Sequence, residues 1–210
     1  MTGLHHAPLH HAPANLLPFD GDVRYYPDWF AEDADELFEA LVDGLMWAQA
    51  HARFFGKPVP LPRLTAWYGP VEYRYSGVRH PARPFVPVLS RIAAAIEPIA
   101  PGMDCVLGNR YRTGADSVGW HTDGEELWGP RPTIASVSFG ASRRFVLKHR
   151  SSKRIVDIEL SHGSVLVLSG TTQSHWLHAL PRTAKPVGER VNLTYRRLAS
   201  ATEGTGRSCP

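Results

Sequence analysis

The chain has 210 residues, 43% hydrophobic and 20% charged, a composition that excludes a disordered or fibrous chain and suits one domain with its own core. Only Cys105 and Cys209 occur as cysteines, which excludes a disulfide-stapled scaffold, and no apolar run approaches the roughly 20 residues of a membrane span. Net charge is +3 and the pI about 9.0, but nine acids fall between Asp20 and Asp43, whereas six Lys/Arg and no acid lie between Arg143 and Arg154. A phosphate backbone responds to such a local basic stretch rather than to the total. The N-terminus shows no basic-then-apolar signal pattern, so a cytoplasmic protein is expected.

Residues 1–19 carry His5, His6, His10 and His11 among Pro and Ala. Without an acid or Cys nearby they read as a flexible tail, as do residues 201–210. A single domain is expected over 20–200. Residues 23–26 suit a short strand. Over 31–52 the period changes: Leu37, Leu41 and Leu45, with Phe38 and Met46, recur at helical spacing, and acids crowd the first turn, where they favour the helix dipole. Phe54-Phe55-Gly56-Lys57-Pro58 then reads as a loop, its aromatic pair either packing on that helix or forming a wedge for a base stack. Residues 65–69 and 72–77 suit a hairpin pair. Within it Tyr73 and Tyr75 share one strand face, which either fills the core or stacks a planar ligand. A second helix is expected over 87–99. Residues 20–102 thus read as helical support and hairpins.

From residue 103 to 198 the pattern is almost wholly β. Candidate strands are 105–111, 118–121, 133–139, 144–148, 155–160, 164–168, 176–180 and 190–197. Short strands with turn residues between them predict an α+β, mainly β fold built on a double-sheet jelly roll, which can hold a metal in its open end.

The chemistry concentrates in Gly119-Trp120-His121-Thr122-Asp123-Gly124. Residues two apart in an extended strand share a face, so His121 and Asp123 can point at one spot. A second His from a distant strand would complete the two-His-one-carboxylate set of non-haem Fe(II) oxygenases, which leaves one face of the metal open. His175 and His178 both compete for that place, on opposite faces, and spacing alone does not choose. The same parity puts Asn109 with Tyr111, and Arg190 with Asn192, Thr194 and Arg196. Two guanidiniums on one buried strand face are costly unless anions meet them, and a dicarboxylate would satisfy both.

Asn109-Arg110-Tyr111, His121-Thr122-Asp123, His178 within Trp-Leu-His-Ala-Leu-Pro, and Arg190-Val-Asn-Leu-Thr-Tyr-Arg196 together resemble the AlkB family of Fe(II)- and 2-oxoglutarate-dependent nucleic-acid dealkylases, over about residues 61–198. The resemblance implies a double-stranded β-helix with a nucleotide-recognition lid. It selects His178 and implies that His121, Asp123 and His178 bind Fe(II). It further implies that Arg190 pairs with the 2-oxoglutarate carboxylate nearer the metal and with Asp123, while Arg196 grips the distal carboxylate with Asn109 and Tyr111, Asn192 lying beside them. Dioxygen is the other co-substrate. The implied reaction removes a methyl group from N1-methyladenine or N3-methylcytosine as formaldehyde, on DNA with RNA as a second polymer, in a monomer. The base must leave the stack to react. By resemblance it would meet Tyr75, with Tyr73 close by, and Glu125, while Phe55 matches an intercalating finger. Hydroxylation or demethylation of a protein or small metabolite is the competing reading.

Overall fold

The computed structural model describes residues 12–54, 57–75, 78–124 and 126–199. In chain order the first part forms β1 (Asp22–Tyr26), α1 (Ala34–Gly44), β2 (Ala48–Phe54), β3 (Lys57–Tyr68), β4 (Tyr73–Tyr75), β5 (Val78–His80) and α2 (Pro87–Ile96). The second part forms β6 (Cys105–Tyr111), β7 (Val118–His121), β8 (Ile134–Gly140), β9 (Arg143–His149), β10 (Ile155–Leu160), β11 (Ser164–Ser169), the short α3 (Thr172–His175), β12 (Trp176–Leu180) and β13 (Arg190–Arg196). The strands from β6 onward match the eight read from sequence. They divide between a seven-stranded sheet, ordered β1-β11-β8-β13-β6-β3-β2, and a four-stranded sheet, ordered β10-β9-β12-β7, with β4 and β5 as a separate hairpin. All pairings are antiparallel. This is the jelly roll, with the N-terminal strands widening the large sheet at both edges.

Strand alternation decides what each face of the large sheet does. On β13, Val191, Leu193 and Tyr195 pack with Leu37 and Leu41 of α1 and Leu89, Ile92 and Ile96 of α2. Full burial of such side chains stabilises by about 1.5–3 kcal/mol each. Arg190, Asn192, Thr194 and Arg196 take the opposite face, between the sheets, yet they too are buried. An apolar cluster fills part of that space with Phe145, Leu147, Ile158, Leu160, Leu166 and Trp176.

Three expectations are corrected. Thr65 to Tyr68 belong to β3 and pair with β6, not with 72–77, whose Tyr73–Tyr75 pairs with β5 instead. The helix expected over 31–52 spans only Ala34–Gly44, and Ala48–Phe54 is a strand. Within β2 Ala50 and Ala52 are buried while His51 is exposed, a period of two that pairing with β3 rewards over the helix propensity of Ala and Gln. Met46, read as part of the apolar stripe, is 62% exposed in the turn between them. Of the loop expected over 54–58, Phe54 belongs to β2 and β3 begins at Lys57, carrying Pro58, Pro60 and Pro62. Prolines two apart leave their missing N–H groups on one side, and β3 pairs with β6 only from Leu64 onward, so that side needs no ladder there.

Candidate active site

His121 ends β7, the edge strand of the small sheet, and lies directly opposite His178 on β12. Their rings are 4.3 Å apart. Asp123, two residues past His121, brings its Oδ2 within 3.3 Å of His178 Nε2. One ligand atom from each of these residues falls within 4.8 Å of the others, the distance scale of a single metal ion's donors. His175 is elsewhere: its Nδ1 donates to the Thr171 carbonyl and its ring faces His149.

Each donor is held in a form that can bind a metal. The His121 ring meets the Gly119 carbonyl through Nδ1 at 2.8 Å. A carbonyl can only accept, so Nδ1 carries the proton and Nε2 keeps its lone pair. Burial, reinforced by His178, pulls the His121 pKa down to about 4, so the ring is neutral at pH 7. His178 is fixed by packing, its ring stacked on Phe145 at 5.4 Å. Burial alone would raise the Asp123 carboxyl, but Arg196 and both imidazoles hold it well below the usual carboxylate range. Arg196 Nη2 donates to Asp123 Oδ1 at 2.7 Å, and Gln173 Oε1 accepts from the Asp123 backbone N–H at 2.9 Å.

The triad lies in the wall of a cavity between the sheets that Arg63, Asn109, Tyr111, Arg190, Asn192 and Arg196 also line. Arg190 stands at the end away from Asp123. Its guanidinium lies 5.2 Å from the Tyr111 ring centre and donates through Nη2 to Ser138 Oγ at 2.9 Å. Its Nε and Nη1 are buried without a hydrogen-bond partner among the described residues. Burial, with Arg143 adding to it, pulls the Arg190 pKa to about 10, partly offset by Tyr111. A carboxylate would answer both the charge and the unused donors.

This arrangement corrects one expected role: Arg196, not Arg190, supports Asp123. Chain direction is the reason. The β6–β7 connection leaves Tyr111 and Val118 at one end, and β7 runs back so that Asp123 emerges at the other. Antiparallel β13 sets Arg190 opposite Tyr111 and Arg196 opposite Cys105.

Asn109 faces the cavity with its Oδ1 accepting from Arg63 Nε at 2.7 Å, which leaves its amide donors for a ligand. Asn192 is engaged within the sheet, donating to Ser136 Oγ and the Val137 carbonyl. Tyr73 is 1% exposed and stacks on Trp67 at 4.5 Å, so it fills a core with Trp128 and Leu107. A substrate contact is therefore not assigned to it. Tyr75 is described at its backbone, paired with Val78. Phe55 and Glu125 lie outside the described residues.

Sequence reasoning missed Arg63, Gln173, Ser138 and Trp128. Arg63 had one legible signal, even spacing from Thr65 and Trp67 along a strand, whereas Gln173 and Ser138 had none. Trp128, 4% exposed, lies 5.5 Å from the Arg196 guanidinium and braces the group that holds Asp123.

Two imidazole nitrogens and one ionised carboxylate, with two buried guanidiniums in the same cavity, fit a divalent metal of the iron type beside a dicarboxylate. Comparison with known proteins agrees. Residues 22–196 match the model of the 2OG-Fe(II) oxygenase superfamily. The chain is 38% identical over 191 residues to human "DNA oxidative demethylase ALKBH2", covering 84% of this chain and 73% of that protein. It is 35% identical over 197 residues to mouse "Alpha-ketoglutarate-dependent dioxygenase alkB homolog 3", covering 88% and 69%. The solved structure of OsALKBH1 shares the fold, with a TM-score of 0.61 at 17% identity over 83% of this chain and 97% of that one.

Proposed function

Because the chain belongs to the 2OG-Fe(II) oxygenase superfamily and, within it, to the AlkB family, we propose that it removes methyl groups oxidatively from alkylated bases of DNA. The observation that carries this reading is the meeting of His121, Asp123 and His178 in one cavity with Arg196 and Arg190. The enzyme is an Fe(II)- and 2-oxoglutarate-dependent dioxygenase. When bound, the iron and its two co-substrates supply the oxidant that hydroxylates an N-methyl group while 2-oxoglutarate becomes succinate and carbon dioxide.

The chain's own part is binding, orientation and exclusion of water. His121, His178 and Asp123 hold the metal. Arg196 keeps Asp123 ionised and in place, and Arg190 receives the far carboxylate of the co-substrate, with Asn109 presenting its amide N–H groups. Phe145, Leu107 and Ile134 provide apolar walls. The target base has to be extruded from its stack to reach a site buried between two sheets.

The substrates we assign are N1-methyladenine and N3-methylcytosine, whose hydroxymethyl products lose formaldehyde, in DNA first and in RNA as the second polymer. The exposed β9–β10 turn, with Arg150, Lys153 and Arg154, supports contact with phosphates. The resemblance supports Tyr75 and Glu125 as contacts of the extruded base and Phe55 as the residue entering a duplex. The test is formaldehyde and succinate release from methylated oligonucleotides, single- and double-stranded, with Fe(II) and 2-oxoglutarate. Equal amounts of both products are expected. No turnover of any oligonucleotide, with succinate rising on a peptide or metabolite instead, would overturn the reading.

A further inference from the structure

His121 points between the sheets, so Trp120, its neighbour on β7, projects to the outer face of the small sheet. Trp120 is 48% exposed, on an edge strand and next to a metal-site residue. Beside it runs a groove of about 380 Å³ lined by Val146, Ile155, Ala179 and Pro181, with Arg144 and Arg182 at its rim. Lys148 Nζ lies 5.6 Å from the Trp120 ring centre. Arg144 is partly neutralised by Asp157, at 2.7 Å. Among the described residues no acid pairs with Lys148 or Arg182, and none lines the groove. The exposed cationic turn from Arg150 to Arg154 leads directly into Ile155, which pairs with Lys148 and lines the groove.

An open aromatic ring on an apolar floor with cations around it is the make-up of a platform for unpaired nucleotides: bases stack on the ring and phosphates meet the cations. An apolar protein face would cover the tryptophan but leave Lys148 and Arg182 to be desolvated without anions. Charge complementarity therefore favours a polyanion.

Resting on the demethylase reading, we propose that this groove is a second nucleotide subsite, where a base flanking the target stacks on Trp120 and its phosphates meet Lys148 and Arg182. Bases in a duplex are already stacked on one another, so the subsite selects single-stranded substrate.

The test compares methylated single strands of roughly three and roughly twelve nucleotides, lengths that fall below and within the usual footprint of such platforms. In the wild type KM falls with length. Trp120→Ala removes most of that gain, about tenfold for one lost stack, with kcat and duplex turnover unchanged, and Trp120→Phe restores it. An equal loss at both lengths means that Trp120 acts through His121, and overturns the proposal. Anisotropy of a labelled, unmethylated single strand reads the groove without catalysis. Lost affinity in Trp120→Ala supports the groove even where no methylated base is turned over, an outcome that sinks the demethylase reading alone. Unchanged affinity overturns the groove, as does sedimentation in which Trp120→Ala converts a dimer to a monomer while oligonucleotide binding persists.

Discussion

Arg190 and Arg196 sit on one strand face, and their surroundings give them different work. Arg196 has a carboxylate partner within the protein, whereas Arg190 is buried with Nε and Nη1 unused among the described residues and its pKa pulled to about 10. Arg190→Met should therefore raise the KM for 2-oxoglutarate at least about thirtyfold, since losing one side of a buried charged contact costs about 2–5 kcal/mol. The same variant should keep or raise the melting temperature of the ligand-free protein, because an apolar replacement for an unpaired buried ion is neutral or stabilising. A marked fall in ligand-free stability would show that Arg190 is structural. Arg196→Lys should act at the metal instead. It loosens Asp123, and a titration should find Fe(II) affinity lowered about 10–100-fold, the usual cost of losing a group that orients a ligand. If only the 2-oxoglutarate KM moved, the assignment of Arg196 to Asp123 would be wrong.

The connection from β6 to β7 sets where the metal-bearing edge strand starts. Asp116 fastens it, its carboxylate accepting from the Arg112 backbone N–H at 2.9 Å and from Arg112 Nε at 2.8 Å, while its own carbonyl accepts from Arg143 Nη2. Burial would raise the Asp116 carboxyl, but the Arg112 hydrogen bonds, helped by Arg143, bring it below its ordinary value. A carboxyl depressed in the folded state stabilises fully above its unfolded pKa near 4 and loses that contribution as pH falls through the lower folded value. Asp116→Asn should thus cost about 2 kcal/mol at pH 7, the scale of hydrogen bonds to a charged group, with the difference from wild type shrinking toward pH 2. Urea midpoints at the two pH values check this, and a pH-independent difference would refute it. The same scale shows why α1 was overextended from sequence. Ala48–Phe54 has no strong propensity for a strand, and only β3 beside it supplies the ladder that makes one.

For the molecule as a whole, the buried charge of Arg190, with two donor atoms unused among the described residues, makes the folded chain a receptor whose stability ligands should raise. Metal and 2-oxoglutarate bind the folded chain, so at about 100 times Kd each should add about 2.7 kcal/mol. For a domain of this size that is a rise in melting temperature of roughly 5–10 °C per ligand, lost on chelation, and a scan without and with Mn(II), 2-oxoglutarate and chelator measures it. Independence of the melting temperature from all three would argue against a ligand site between the sheets. The sequence by itself determined the eight strands of the roll, because short apolar runs bounded by turn residues are local, and it placed His121 with Asp123, because strand parity is local too. It left His175 and His178 open from spacing alone, the AlkB resemblance favouring His178. Only tertiary structure decided which of the two arginines supports Asp123, that Tyr73 belongs to the core, and that Arg63 and Gln173 reach the site. The arginine, Arg63 and Gln173 outcomes rest on chain direction and on contacts between residues 46 to 73 positions apart, and Tyr73 is enclosed by Trp128 and Leu107 as well as by its neighbour Trp67, which no local pattern records.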